Sequence, residues 1–185
     1  MRRVIVGMVA MLFALSLAAC AGIRPSAAVK LPVLQLEPAS LPEPLALQQQ
    51  LHFSFGRQQR ELSALVEADQ QQVQLAVEAM GQVGVRLKWD GQHLTQVRAP
   101  WLPPQVHAER VLDDLQFALW PVDAIAHVLP RDWSVVDDGH VRNLLHEGQI
   151  WLQLRRQEDG SLFLENRADG YTMGIESIDM RALGN

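Results

Sequence analysis

The chain has 185 residues, 48% of them hydrophobic and 20% charged, which suits one domain with a sizeable core and excludes global disorder. Its formal charge is -5 and its only lysines are Lys30 and Lys88, so the clustered basic face of a nucleic-acid binder is not expected. The single cysteine, Cys20, leaves no intramolecular disulfide framework and no multi-thiolate metal site.

Arg2 and Arg3 precede an apolar run from Val4 to Leu15, and then Leu17-Ala18-Ala19-Cys20. The run is short for a membrane span of about 20 residues and has the form of a secretory signal. Leu-Ala-Ala-Cys resembles the bacterial lipobox. That resemblance implies a signal peptide over 1–19, cleavage before Cys20, and a diacylglycerol and an N-acyl chain on that cysteine. Several acyl chains hold a protein on a bilayer almost permanently, at about 0.8 kcal/mol per buried methylene. Ala21 stands where an aspartate usually retains such lipoproteins in the inner membrane, so the resemblance implies the periplasmic face of the outer membrane.

Residues 20–44 then form the lipidated, proline-rich tether, with Pro25, Pro32, Pro38, Pro42 and Pro44 favouring extended backbone. Leu31, Val33, Leu34, Leu36 and Leu41 are interleaved with them, so part of the tether is expected to pack on the domain. The domain is expected over 45–180. Period-two alternation predicts strands at 45–55, 62–68, 73–79 and 83–89 and a weaker one near 93–98, with Gly56-Arg57 and Asp90-Gly91 as turns. The cluster from Pro100 to Pro104 breaks the rhythm. Val106, Val111, Leu112, Leu115, Ala118 and Leu119 recur at helical spacing, followed by Pro121, a short second helix at 122–128 and Pro130. This predicts a helical insert over about 104–129. Strands resume from Trp133 to Ile175, separated by Asp138-Gly139, Glu147-Gly148, Asp159-Gly160 and Asp169-Gly170.

The predicted fold class is mainly β (α+β). About ten antiparallel strands curl into an incomplete β-barrel, and the helical insert closes it. A hollow between sheet and insert is a candidate cavity for lipid-like chains. A void of several hundred cubic ångströms there favours carriage, whereas a packed interior favours docking.

Met80-Gly81-Gln82, the proline cluster at 100–104, and Leu112-Asp113-Asp114-Leu115-Gln116-Phe117-Ala118-Leu119-Trp120-Pro121 resemble a family of uncharacterised proteobacterial lipoproteins. Their architecture is similar to that of the outer-membrane lipoprotein receptor LolB and its soluble relative LolA. Members are often encoded beside fatty-acid-synthase-like genes for aryl-polyene pigments. The resemblance implies an incomplete barrel with a helical lid around a hydrophobic cavity. It also implies an exposed apolar loop residue that enters the membrane, for which Leu102, beside Trp101, is the candidate.

Trp89, Trp101, Leu102, Leu112, Leu115, Leu119 and Trp120 are the candidate cavity or lid residues, and core packing is the plain alternative for the tryptophans. Asp113 and Asp114 are adjacent on a helix and do not face each other, which makes a poor acid–base pair and suggests a solvated helix face. One of them has Arg110 or a strand backbone within reach. The glutamines fit a polar outer sheet face. His140 and His146 lie roughly 20 Å apart along a strand, too far to share a metal. No nucleophile elbow, phosphate loop, dinucleotide fingerprint or zinc-protease motif is present. The chain is therefore expected to be no enzyme, to need no cofactor beyond its acyl groups, and to act as a monomer. Its expected partners are membrane lipid through the anchor, a lipid or polyene ligand, and an exporter or another lipoprotein. The alternative is a non-enzymatic assembly or docking lipoprotein for an exporter or biosynthetic complex.

Overall fold

The computed structural model describes residues 29–102 and 107–183. The expected signal peptide, Cys20, the first part of the tether and residues 103–106 of the insert lie outside them. Ten strands form one antiparallel sheet: β1 (Leu45–Phe55), β2 (Gln58–Ala68), β3 (Val73–Ala79), β4 (Gln82–Trp89), β5 (Leu94–Arg98), β6 (Trp133–Asp137), β7 (Val141–His146), β8 (Gln149–Arg156), β9 (Leu162–Asn166) and β10 (Tyr171–Asp179). Helices α1 (Ala108–Leu119) and α2 (Val122–Val128) lie between β5 and β6 in sequence, as the helical spacing predicts.

The order across the sheet is β5-β4-β3-β2-β1-β10-β9-β8-β7-β6. Two meanders are joined where β1 pairs with β10, in a register from Leu47 opposite Asp179 to Phe55 opposite Tyr171. Strands β5 and β6 are the free edges, so the sheet is not closed into a barrel. It is nonetheless curled. Laid flat, ten strands at about 4.8 Å would span roughly 45 Å, whereas a helix of this length measures about 18 Å. Yet α1 bonds side chains from β5 (Gln96), β7 (Arg142) and β10 (Tyr171). Only a sheet wrapped around the helix brings those strands to it.

The wrapping follows from the alternation. Ala64, Val66 and Ala68 of β2, Val73 and Leu75 of β3, and Val85, Leu87 and Trp89 of β4 are buried. So are Leu144 of β7, Leu152 and Leu154 of β8, Leu164 of β9 and Ile175 of β10. One strand face is therefore mostly apolar and must be covered. The cover has two parts. The first is α1, in which all residues from Leu112 to Phe117 are buried, so the helix is enclosed on nearly every side. The second is the segment 31–41, called the strap below, which has almost no regular structure but buries Leu31, Leu34, Leu36 and Leu41. This part of the expected tether belongs to the core.

At the β3–β4 hairpin, Met80 (φ 51°) and Gly81 (φ 73°) form a two-residue turn closed by Ala79 opposite Gln82. Positive φ at both positions suits the right-handed twist of the paired strands. The turn leaves Met80 92% exposed.

Candidate functional site

The strap lies against α1 and the end of β4, and polar side chains fix its backbone. Gln116 makes a two-way bond with Leu36, accepting its N–H at Oε1 (2.9 Å) and donating Nε2 to its carbonyl (2.9 Å), much as a neighbouring strand would. The Trp89 indole N–H donates to the same carbonyl at 2.8 Å, and that of Trp120 donates to the Glu37 carbonyl at 3.3 Å. Asp113 Oδ1 accepts the Leu34 N–H at 2.9 Å. Asp113, Gln116 and Trp120 are three and seven residues apart, on one side of the helix. A coil segment must find partners for its buried amides, and here these three residues and Trp89 supply them.

Asp114 serves a different neighbour. The Tyr171 hydroxyl of β10 donates to Asp114 Oδ2. Arg110 lies between the two aspartates, with Nη2 3.1 Å from Asp113 Oδ2 and Nε 3.4 Å from Asp114 Oδ1. The second contact is not hydrogen-bonded, and both of its atoms are buried without another partner. Burial pushes the Asp114 carboxyl up to about 6, against the opposing pull of Arg110 and the Tyr171 hydroxyl. Burial also raises Asp113, and Arg110 and the strap amides offset part of that. The Tyr171 hydroxyl is pushed well above its usual range by burial and by the Asp114 charge.

Arg142 holds the other end of α1. It is buried, and its Nη1 donates to the carbonyls of Phe117 (2.5 Å) and Trp120 (2.8 Å), where the last turn leaves acceptors without intrahelical partners. Its Nε donates to Asp137 Oδ2 at 2.6 Å, and Arg156 reaches both oxygens of that carboxylate at 3.1 Å. Partial burial works against the Asp137 charge, but the Gly139 N–H and the two guanidiniums prevail and bring the carboxyl down to about 2.

Of the candidate cavity or lid residues, Trp89, Leu112, Leu115 and Trp120 come together in the interior, and Leu119 is half-buried beside them. Trp101 does not line the interior and is 44% exposed. It lies with half-buried Leu102 at the rim above Gly84, where a Cβ would stand 3.2 Å from the Trp101 ring and 3.3 Å from Leu102. Leu102, expected as an exposed apolar loop residue, is half-buried, and Met80 at the β3–β4 hairpin is exposed.

Three further expectations are corrected. Asp113 and Asp114 are not a solvated helix face, because the strap and Tyr171 enclose them. Gln49 is not on the polar outer face, since it is buried on the Leu51 side of β1 and donates to the Ser177 hydroxyl at 3.0 Å. The space expected to be hollow holds Leu34, Leu36, Leu112, Phe117 and Trp120, all buried. A half-open cleft of about 270 Å³ lies elsewhere, at the turn between β2 and β3, lined about equally by apolar side chains such as Leu45 and Ala68 and polar ones such as Asp69 and Arg181.

Sequence reasoning missed the clasp role of Gln116 and the inward position of Arg142. Arg142 shares a strand face with Leu144, and that carried the second signal. Among the described residues, no group of histidine, cysteine and carboxylate side chains could hold a metal ion, and no helix is long and apolar enough to cross a membrane.

None of the curated proteins compared with the chain matches it significantly. The model of a family described as protein of unknown function (DUF3261) matches residues 46–179. That match runs from the start of β1 to the end of β10 and takes in both helices. The chain therefore belongs to the DUF3261 family.

Proposed function

We propose that the chain is a non-enzymatic lipoprotein, acylated on Cys20 and held at the periplasmic face of the outer membrane. In this reading it binds or transfers lipid-like amphipathic molecules, such as acyl or polyene chains, with an architecture like that of LolA and LolB. The observation that carries it is the unequal construction of the domain. The curled sheet turns a mostly apolar face onto a cover made of α1 and a strap outside the sheet's ladders.

The strap is held by four buried leucines and a few side-chain hydrogen bonds and belongs to no ladder of the sheet, so it can open locally without breaking a strand pairing. An acyl chain taking its place gains about 0.8 kcal/mol per buried methylene.

Met80 supports the membrane side of this reading. It projects from a hairpin tip, and exposed Trp101 lies beyond the end of β5, which pairs with the strand that hairpin opens. An unbranched thioether and an indole suit the bilayer interface.

The packed interior favours a second reading, in which the chain is an assembly or docking lipoprotein for an exporter or biosynthetic complex. One experiment separates the two. The acylated protein is purified from membranes, extracted with organic solvent, and the extract is analysed by mass spectrometry. Carriage predicts a bound lipid-like species in near-stoichiometric amount. Repeated absence of any such species, with no uptake of a fluorescent acyl probe, leaves docking.

A further inference from the structure

The bonds made to the strap indicate what must replace it. If an acyl chain alone displaced the strap, Gln116, the Trp89 and Trp120 indoles and Asp113 would lose their partners together, in a buried place. Hydrocarbon offers them nothing, and each unsatisfied buried group weakens binding. Water or the ligand's own head must therefore serve them.

The pattern they present is specific. Two indole N–H groups and the Gln116 Nε2 seek an acceptor, and the Gln116 Oε1 and Asp113 Oδ1 seek donors. Leu36 already answers most of it with a donor and an acceptor side by side, the N–H of one peptide group and the carbonyl of the next, giving the first to Gln116 and the second to both Gln116 and Trp89, and a primary amide offers the same neutral donor–acceptor pair on one edge. Charge narrows the choice further. Asp113 already turns a carboxylate oxygen toward the strap, so a carboxylate or phosphate head in the same place would meet like charge at short range.

We propose that the strap is a built-in stand-in for the ligand, and that the ligand is an apolar chain carrying a neutral amide-like head. The leucines of the strap occupy the space for the tail, and the Leu36 N–H and carbonyl occupy the place of the head. The inference rests on the lipid-binding reading above and names the class of lipid. It also makes the strap autoinhibitory, since ligand and strap compete for one set of side chains.

The test uses the full chain and two fluorescent probes that differ only at the head, a long-chain fatty acid and its primary amide. The proposal expects the amide to bind about tenfold or more tightly than the acid, the ratio set by buried groups left unpaired. Hydrogen exchange at the Leu34 and Leu36 amides should quicken when the amide probe is bound to the wild-type protein. A Leu31→Asp, Leu34→Asp double variant, which weakens the strap and leaves Gln116, Asp113 and both indoles intact, should bind the amide about tenfold more tightly than wild type. Equal affinity for acid and amide overturns the head assignment, and unchanged strap exchange with amide bound overturns the stand-in role. Either result leaves lipid binding in place. Failure of both probes to bind wild type and a variant shown by circular dichroism to be folded removes the lipid-binding reading itself. If the variant does not fold, the wild-type exchange and affinity measurements decide the question alone.

Discussion

Replacing Gln116 with alanine tests how the strap is held. The side chain is wholly buried, and the Leu36 N–H has no acceptor among the neighbouring groups other than Gln116 Oε1. The Leu36 carbonyl fares better, because the Trp89 indole still donates to it at 2.8 Å. The variant therefore orphans one buried donor, at about 1–3 kcal/mol, and loses a second bond whose acceptor remains served, at about 1 kcal/mol or less. The summed loss is about 1–4 kcal/mol, a sizeable share of the stability of an ordinary domain. Urea unfolding followed by tryptophan fluorescence measures it, since Trp89 and Trp120 both touch the strap. Gln116→Glu should recover part of the loss, because it still accepts from Leu36, but not all, because it cannot donate and brings charge into the core. A Gln116→Ala variant within about 0.5 kcal/mol of wild type would refute the reasoning, since that is the range of a surface change.

Three further outcomes are expected. The Asp114 carboxyl titrates at about 6 in the folded protein against 3.8 for the free group, so the folded state binds its proton more tightly. Its contribution to stability is then present below about pH 4 and is lost as pH rises to 6, by up to about 3 kcal/mol. Asp137, brought down to about 2, acts in the opposite sense between pH 2 and 4 and leaves that window clear. Asp114→Asn should flatten the slope between pH 4 and 6 in thermal melts taken across that range. Arg142→Met should lower stability by about 3–5 kcal/mol, because Asp137 loses its closest partner and the last carbonyls of α1 lose their donor; calorimetric melting gives the size. Met80→Glu should change stability by less than about 0.5 kcal/mol, since the side chain is exposed, while reducing co-sedimentation of the protein with anionic lipid vesicles. Unaltered co-sedimentation would remove Met80 from the membrane surface.

The sheet was legible in the sequence because its causes are local. Alternation places Val73, Leu75 and Ala79 on one face of β3 whatever else the chain does, and Asp90-Gly91 turns the chain through its own side chain, with Asp90 Oδ1 accepting the Gln92 and His93 amides. The insert was legible for the same reason, through its spacing and its flanking prolines. The buried polar residues were not. Asp113 and Asp114 look solvated because two adjacent carboxylates need partners, and those partners come from Leu34 and Tyr171, far away in sequence. Arg142 is similar, as its charge argues for the outside until the carbonyls at the end of α1 are placed beside it. The strap falls between these cases. Its prolines announced an extended chain and its leucines a buried one, but only the fold brings Gln116 to the Leu36 peptide. Three residues of the stretch that carries the family resemblance, Asp113, Gln116 and Trp120, all bind the strap.

Ligand entry requires a cover that separates from the sheet. Amide hydrogen exchange of the native protein, resolved by residue, measures this directly. Leu34 and Leu36 should exchange by a local opening, at a markedly lower free energy than Leu51 and Ile175 at the β1–β10 junction. Equal protection at all four amides, matching global unfolding, would show that the strap is a permanent part of the core and does not yield to a ligand.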